Sequence, residues 1–181
     1  IILLRKKIRY KKDKDIAYFF YLIIIVPVYN SADTLEACLS SIDASTYPNE
    51  NIDITLVNNG SVDDSFKVFT TYQEQHTDMN MVWMNAKQGK SKALNMALFN
   101  SEGKYIIHID SDGMLHPDAI MNIVKRFENH KNVHCMTGSV LTNPDSIDAE
   151  KNIFSRIFKK TEFYEYAQAF LAGRNYEAEL N

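Results

Sequence analysis

The order of apolar and polar segments predicts an α/β protein with a Rossmann-like, mostly parallel sheet and helices on both faces. A continuous apolar run at residues 22–26, β-branched from Ile23 onward, is typical of a strand that is covered on both sides. Strand-like and helix-like segments then alternate from residue 22 to residue 137. Such alternation favours parallel pairing, because a parallel strand can be reached only through a crossover, which is usually a helix.

The pattern predicts five strands, at residues 22–26, 52–57, 81–84, 104–109 and 133–137. Pro27 is expected to end the first strand, since proline has no amide hydrogen for a ladder. Helices are expected at residues 34–42, after Asp63, after Gly89, and at residues 116–129 with Pro117 in the first turn. Ser31 or Asp33 could cap the first helix, and Asp63 could cap the second. The expected apolar helix faces comprise Leu35, Cys38, Leu39 and Ile42, then Phe66, Val68, Phe69 and Tyr72, then Ala93, Leu94, Ala97 and Leu98.

Composition bounds the possible partners. The 181 residues are 45% hydrophobic and 24% charged, which suffices for one domain with a full core. The net charge is −3, and basic residues are scattered beyond the N-terminus, so nucleic acid is not an expected partner. Cys38 and Cys135 lie in apolar settings without metal-ligand spacing, and we expect two buried thiols in a reducing compartment.

The termini indicate a piece of a longer protein, because the chain begins with isoleucine and carries no terminal signal. Residues 1–4 are apolar and are followed by six basic residues up to position 12, as at the cytoplasmic exit of a membrane helix. A frayed basic arm fits the same residues equally well. No internal apolar run is long enough to span a bilayer.

Polar loops are expected to meet where the strands end, at the carboxyl edge of the sheet. Asp110 and Asp112 flank Ser111 directly after a strand, so both carboxylates should point to the same side. Two such carboxylates repel each other unless a cation lies between them. Mg²⁺ and Mn²⁺ favour oxygen ligands and also bind phosphate. The alternative is an acidic loop without a ligand.

Three other loops add candidate ligand contacts. Tyr29 could stack on a planar base or simply pack its loop. The Asn58-Asn59 turn could read the edge of a base or be a plain turn. Lys90 begins a helix and could meet a phosphate there, although a solvated lysine is the commoner case.

The order of these motifs resembles that of the nucleotide-sugar-dependent glycosyltransferases of family two, which have the GT-A fold. The motifs are IIIVPVYN, VNNGSVDDS, QGKSKALNMAL and YIIHIDSDG, and the resemblance covers roughly residues 22–140. From residue 146 onward the chain looks most like the membrane-bound, polysaccharide-making branch, with hyaluronan, cellulose and poly-N-acetylglucosamine synthases as its familiar members. The resemblance divides the chain into a basic juxtamembrane-like arm at 1–20, a nucleotide-sugar-binding core at 21–145 and the start of an acceptor-side region at 146–181.

This resemblance implies a donor site and a reaction. The implied donor-binding residues are Pro27, Tyr29, Asn30, Asn58, Asn59, Lys90, Asp110, Ser111 and Asp112. Tyr29 would lie beside the nucleobase, Lys90 near the diphosphate, and Asp110 and Asp112 at Mn²⁺ or Mg²⁺. The expected reaction passes a sugar, from a nucleotide donor that is expected to be UDP-linked, to a growing polysaccharide or other glycan acceptor with inversion. The protein is expected at the cytoplasmic face of the cell membrane, where segments outside this chain would hold it.

Two departures from the family pattern keep alternatives open. Asn59 stands where the family often has aspartate, and an amide supplies no charge. The chain has no Glu-Asp dipeptide, and its only tryptophan is Trp83, so the general base is expected beyond Asn181. The alternatives are a non-processive transferase acting on a lipid or protein and a module that binds nucleotide sugar without turnover.

Overall fold

The structure is a computed structural model that describes residues 13–138 and positions 155, 157 and 161. The chain forms two compact units, Ile1–His134 and Cys135–Asn181. The first unit contains a four-stranded parallel sheet in the order β3-β2-β1-β4. The strands are β1 (Leu22–Val28), β2 (Ile52–Asn58), β3 (Asn80–Asn85) and β4 (Tyr105–His108). The helices are α1 (Leu35–Asp43), α2 (Ser65–Gln75), α3 (Lys90–Phe99) and α4 (Ala119–Asn129), with a short 3₁₀ turn at Asn49–Asn51.

The strand register aligns the carboxyl ends of three strands. Val28 at the end of β1 lies beside Asn58 at the end of β2, and Asn58 lies beside Asn85 at the end of β3. β4 is shorter, and its last residue, His108, lies beside Ile25. The loops that follow these strands therefore leave the sheet at one edge, where the sequence predicts polar side chains to meet.

Both faces of the sheet are covered by helices, as predicted. On one face α1, α2 and α4 pack on the even-numbered residues of β1, with Ile24 and Val26 fully buried. On the other face α3 packs on Ile23, Ile25 and Val57 through Ala93 and Ala97. Alanine at both contacting positions allows α3 to approach the strands closely. The apolar run at 22–26 is thus buried on both sides, as a central parallel strand requires.

Pro27 does not end the first strand, contrary to the prediction. β1 continues through Pro27 to Val28. The carbonyls of Tyr21 and Ile25 accept hydrogen bonds from Lys104 and Ile109, so alternate residues of β1 face β4. Pro27 belongs to this alternate set, and β4 has already ended at His108. The missing amide hydrogen of proline therefore removes no hydrogen bond from the ladder.

The predicted fifth strand is absent from the residues that the structure describes. Residues 133–138 carry no strand assignment, and the amide of Val133 donates to the carbonyl of His130 in a turn after α4. Cys135 is exposed, so the prediction of buried thiols holds for Cys38 alone. α4 also begins three residues later than expected, because residues 116–118 form a turn in which the carbonyl of His116 accepts the amide of Ala119.

The helix caps and faces differ in detail from their predictions. Neither Ser31 nor Asp33 caps α1 with its side chain; the backbone carbonyl of Ser31 accepts the amides of Thr34 and Leu35 instead. The carboxylate of Asp63 does accept the amide of Ser65, the first residue of α2, at 3.2 Å. The predicted apolar faces of α2 and α3 include two residues that are not buried, since Phe66 is 54% exposed and Leu98 is 45% exposed.

Most of the two terminal regions lies outside the described residues, so the predictions for residues 1–12 and for the segment from 146 onward stay predictions. Residues 13–20 contact other parts of the first unit: Asp13 pairs with His130 at 3.0 Å, and the Tyr47 hydroxyl donates to the carbonyl of Phe20 at 2.7 Å. Within the described part of the chain, no helix is both long and apolar enough to cross a bilayer.

Ile24→Ala should destabilise the fold strongly, because Ile24 is fully buried in the central strand. The expected loss is about 2–5 kcal/mol, from lost transfer free energy and the cavity left behind. Ile106→Ala is the matched control in β4, since Ile106 is 44% exposed and should lose about 1 kcal/mol or less. Urea unfolding measures both, and equal losses would contradict the assignment of β1 as the buried centre.

Candidate functional site

The structure brings the four predicted polar loops together at the carboxyl edge of the sheet. The loop after β1 is tied to the loop after β2, because the amide of Asn30 donates to the Ser61 hydroxyl at 3.0 Å. The loop after β2 is tied to the start of α3, because Asn59 Oδ1 accepts the amide of Gly89 at 2.5 Å. The start of α3 reaches the loop after β4 through Lys90 and Asp110. These contacts form one continuous polar edge.

A buried pair of hydroxyls lies beneath this edge. The Oγ atoms of Ser31 and Ser111 are 2.7 Å apart, and both residues are buried. The amide of Ser31 also donates to the Ser65 hydroxyl at 2.9 Å. Ser111, a predicted donor-binding residue, therefore joins the loops after β1 and β4 from below. Sequence reasoning missed Ser31 and Ser65 in this role, because the pairing is between distant segments.

Asp110 is engaged by two basic side chains. Its Oδ1 atom lies 2.6 Å from Lys90 Nζ and 3.4 Å from His108 Nε2. The side chains of Lys90 and Asp110 are 57% and 53% exposed, so water screens this ion pair and it can exchange partners readily. Sequence reasoning missed His108, although its position at the end of β4 was a usable signal.

Asp112 differs from Asp110 in its surroundings. Within residues 13–138 its carboxylate makes no hydrogen bond or ion pair, and the residue is exposed. The turn that presents it is tight, because the amide of Gly113 donates to the carbonyl of Asp110 at 2.8 Å. A Cβ atom on Gly113 would lie 3.1 Å from that carbonyl oxygen, which explains glycine at this position. Asp112 is thus a carboxylate held in place by backbone geometry alone.

A buried thiol lies next to the loop that carries the two carboxylates. Cys38 of α1 is fully buried, and its Sγ atom lies 3.7 Å from the backbone oxygen of Asp110. Burial, followed by the charges of Asp112 and Asp110, raises the pKa of the Cys38 thiol to about 12. Cys38 is therefore a neutral packing residue at physiological pH rather than a nucleophile or a metal ligand.

The two aspartates fit the donor set of a hard divalent cation. Mg²⁺ and Mn²⁺ are commonly held by one or two carboxylates, with phosphate oxygens and water as the remaining ligands. No cluster of three or more histidine, cysteine, aspartate or glutamate side chains suited to a metal occurs among the described residues. The protein's own ligands would thus be Asp110 and Asp112, and a phosphate-bearing ligand would complete the shell.

The loop after β2 is rigidified by side-chain amides. Asn58 Oδ1 accepts the amide of Ser61 at 2.8 Å, and Asn58 Nδ2 donates to Asn85 Oδ1 at 3.0 Å. Trp83 Nε1 donates to the same oxygen of Asn85 at 3.2 Å. Sequence reasoning missed Asn85, which lies at the end of β3 and is exposed.

The loop after β1 presents Tyr29 at the edge, with its side chain 52% exposed. Pro27 is buried within β1, and Asn30 adopts a left-handed conformation with φ 48°. Asn30 Oδ1 accepts the amide of Val62 at 2.9 Å. An exposed aromatic ring on a loop held at both ends can accept a flat ligand without rearrangement.

Asp63 links the loop after β2, to which it belongs, to the loop after β1. Its carboxylate accepts the amide of Ala32 at 2.8 Å and the hydroxyl of Ser65 at 2.6 Å. Desolvation opposes ionisation, but hydrogen bonds from the Ser65 hydroxyl and from the amides of Ala32 and Ser65 outweigh it and hold the pKa of Asp63 below its usual value. Asp63 is therefore a structural carboxylate of the edge.

Comparison with known sequences identifies relatives of the chain. It is 36% identical to glycosyltransferase GlyA of Streptococcus pneumoniae over 109 residues, which are 60% of this chain and 15% of that protein. It is 25% identical to the poly-beta-1,6-N-acetyl-D-glucosamine synthase of Staphylococcus epidermidis over 115 residues, 64% of this chain and 27% of that protein. The chain thus spans about a third or less of the length of these curated relatives.

Comparison with solved structures also identifies glycosyltransferases. A mannosyltransferase from Pyrobaculum calidifontis, in complex with GDP-Man and Mn²⁺, matches with a TM-score of 0.60 and 28% identity, over 62% of this chain and 34% of that chain. TarS of S. aureus, in complex with UDP-GlcNAc, matches with a TM-score of 0.56 and 22% identity over 61% and 32% of the two chains, a likeness of fold. Both neighbours support the GT-A type of α/β fold. The glycosyl transferase family 2 model matches residues 23–174, well over half of the sequence, and the chain belongs to that family.

Proposed function

We propose that the chain is the donor-binding part of a glycosyltransferase that takes its sugar from a UDP-linked nucleotide and passes it to a growing polysaccharide or other glycan with inversion. The observation that carries this proposal is the convergence of exposed Tyr29, Lys90, Asp110 and Asp112 on one edge of the sheet. Together they offer an aromatic surface, a cation and two carboxylates, which is the set of groups that a nucleoside diphosphate coordinated to a metal needs.

The base and ribose lie at the loops after β1 and β2 in this proposal. Tyr29 stacks on the base, because its ring is exposed and its loop is held by Asn30 and Ser61. Asn58 and Asn59 line the neighbouring turn, and their side chains are partly exposed. Ordering these loops before the ligand arrives lowers the entropic cost of binding.

The diphosphate lies at the start of α3. Lys90 is the first residue of that helix, where the unpaired backbone amides and the helix dipole also favour an anion. Lys90 is paired with Asp110 in this structure, and both side chains are more than half exposed. A diphosphate can therefore draw Lys90 away from Asp110 at little cost, which leaves Asp110 for the ribose, the sugar or the cation.

Asp110 and Asp112 are the proposed ligands of Mg²⁺ or Mn²⁺. The chemistry that a bound cation supplies there is neutralisation of the charge that develops on the leaving diphosphate. Asp112 is available for this role, since its carboxylate has no other hydrogen-bond or ion-pair partner within residues 13–138. The Mn²⁺ in the Pyrobaculum calidifontis mannosyltransferase structure supports the proposal.

The acceptor and the location are proposed from the relatives. One relative is named as a poly-beta-1,6-N-acetyl-D-glucosamine synthase, and another, GgaB of Bacillus subtilis, is named as a minor teichoic acid biosynthesis protein. We infer a polymeric glycan or lipid-linked acceptor and a place at the cytoplasmic face of the cell membrane, where such acceptors and nucleotide sugars meet.

Mn²⁺ should tighten the binding of UDP to the chain by about tenfold or more, because Asp110 and Asp112 would hold the cation and its charge would attract the diphosphate. Asp112→Asn should abolish this enhancement, whereas Asp78→Asn, which removes the same charge from the exposed turn before β3, should preserve it. Isothermal calorimetry with Mn²⁺ and with EDTA measures the effect. Equal UDP affinity of the unsubstituted chain in the two buffers would rule out the metal site.

Tyr29→Ala should weaken UDP binding by about tenfold, since stacking on a base contributes roughly 1–3 kcal/mol. Tyr29→Phe retains the ring and should bind almost as the original chain does. The same titration measures both variants. If alanine and phenylalanine give the same affinity, Tyr29 packs its loop and does not touch the base.

Lys90→Met should weaken UDP binding by about tenfold, because a charge-assisted hydrogen bond to phosphate is lost. Binding of uridine, which has no phosphate, should be unchanged. Lys131→Met is the control for the charge alone, since Lys131 is an exposed lysine beyond the end of α4. An equal loss for uridine and UDP would place Lys90 away from the diphosphate.

A further inference from the structure

Asp110 and Asp112, the two proposed metal ligands, differ in their charge balance. Asp110 Oδ1 lies 2.6 Å from Lys90 Nζ and 3.4 Å from His108 Nε2. Asp112 forms no hydrogen bond or ion pair with a described residue. A divalent cation that reaches these side chains therefore meets one free carboxylate and one that an ammonium group already neutralises. The contact between Lys90 and Asp110 thus affects how tightly a cation is held here.

The backbone holds both ends of this ion pair in place. Asn59 Oδ1 accepts the amide of Gly89, the residue before Lys90, at 2.5 Å. At the other end, the carbonyl of Asp110 accepts the amide of Gly113 at 2.8 Å. The side chains of Lys90 and Asp110 are themselves 57% and 53% exposed. Breaking the pair therefore needs only side-chain rotation, and the backbone of the site stays in place.

The start of α3 offers an anion a place next to the ammonium group. The amides of Lys90 and Ser91, the first two residues of α3, donate to no described residue. Unpaired amides at a helix start attract anions, and the helix dipole adds to this attraction. A diphosphate at this place would carry more negative charge than one carboxylate does. It would therefore compete with Asp110 for the ammonium group of Lys90.

We propose that Lys90 is a built-in counter-ion of Asp110, which weakens the binding of a divalent cation until a diphosphate draws the ammonium group away. The inference rests on the proposed function and adds its regulation, namely that the cation is held firmly only together with the nucleotide. An ammonium group 2.6 Å from Oδ1 occupies one side of the carboxylate and repels a second positive charge there. When the ion pair opens, the carboxylate is available to the cation.

The exposure of the ion pair sets the size of the effect. An exposed pair of unit charges changes an equilibrium constant by about two- to fivefold. A divalent cation carries twice the charge of an ammonium group, so the repulsion between them is larger. Removing the ammonium group should therefore strengthen cation binding by about three- to tenfold, although the same substitution weakens UDP binding. General damage to the site would weaken both, so the opposite signs distinguish the two explanations.

Titration of the chain with Mn²⁺ alone, followed by the loss of the free-ion signal in electron paramagnetic resonance, tests the proposal. Lys90→Met should bind Mn²⁺ about three- to tenfold more tightly than the original chain. Lys90→Arg retains the charge and should show no gain. Lys87→Met is the matched control, because Lys87 is exposed in the loop before α3 and forms no ion pair with a described residue. It should change the Mn²⁺ affinity by less than about twofold, since water and salt screen a charge that has no close partner.

The same titration in an Asp110→Asn background shows whether the gain belongs to Asp110. Lys90→Met should lose most of its gain there, because the carboxylate that it would free is absent. Thermal unfolding should show every variant folded, since both side chains are exposed.

An unchanged or weaker Mn²⁺ affinity in Lys90→Met would overturn the proposal. So would an equal gain in Lys87→Met, or a gain that stays as large in the Asp110→Asn background. Those results concern this inference alone and leave the proposed UDP site standing. If Mn²⁺ does not tighten UDP binding to the original chain, the proposed metal site fails, and this inference fails with it.

Discussion

The buried contact between the hydroxyls of Ser31 and Ser111, at 2.7 Å, is the interaction on which the rest of the site depends. Ser31 also donates its amide to Ser65 and offers its carbonyl to the first turn of α1. One small residue thus joins the end of β1, two helix starts and the turn that carries Asp110 and Asp112. Because unsatisfied polar groups are costly in a buried position, these loops have few other arrangements open to them. The buried serines therefore fix the positions of the exposed groups of the edge, including Tyr29.

The sequence predicted the elements whose signal is local. The apolar run of β1 and the helical spacing of apolar residues in α1 show which residues of these elements are buried. The alternation of strands and helices implies parallel pairing. Parallel pairing in turn places the loops after β1, β2, β3 and β4 at one edge, so the neighbourhood of Lys90 and Asp110 followed from topology. The structure places these two side chains 2.6 Å apart.

Features that depend on contacts between distant segments were not predictable in this way. Whether Pro27 ends β1 depends on the strand that an amide hydrogen at position 27 would have faced. That strand is β4, and only the register shows that β4 has already ended at this point. Residues 133–137 are apolar enough for a strand, yet a strand also needs a partner strand, and residues 133–138 have no strand pairing in the structure. Asn85 was not predicted, because its role depends on hydrogen bonds from Trp83 and Asn58 and it belongs to no motif. The sequence therefore located the site but not its internal hydrogen bonds.

Those internal hydrogen bonds tie the stability of the loops to what the site can recognise. An amide side chain has one oxygen, and at Asn58 and Asn59 that oxygen holds a turn together by accepting a backbone N–H. That oxygen has a second lone pair, so the bond does not use up the acceptor but fixes the direction in which the side chain presents its remaining polar sites. Asp63 holds its neighbours in the same manner, since Oδ2 accepts the amide of Ala32 and Oδ1 accepts the amide of Ser65. The side chains that hold these loops together therefore also set the direction of the polar atoms that a ligand at this edge would meet.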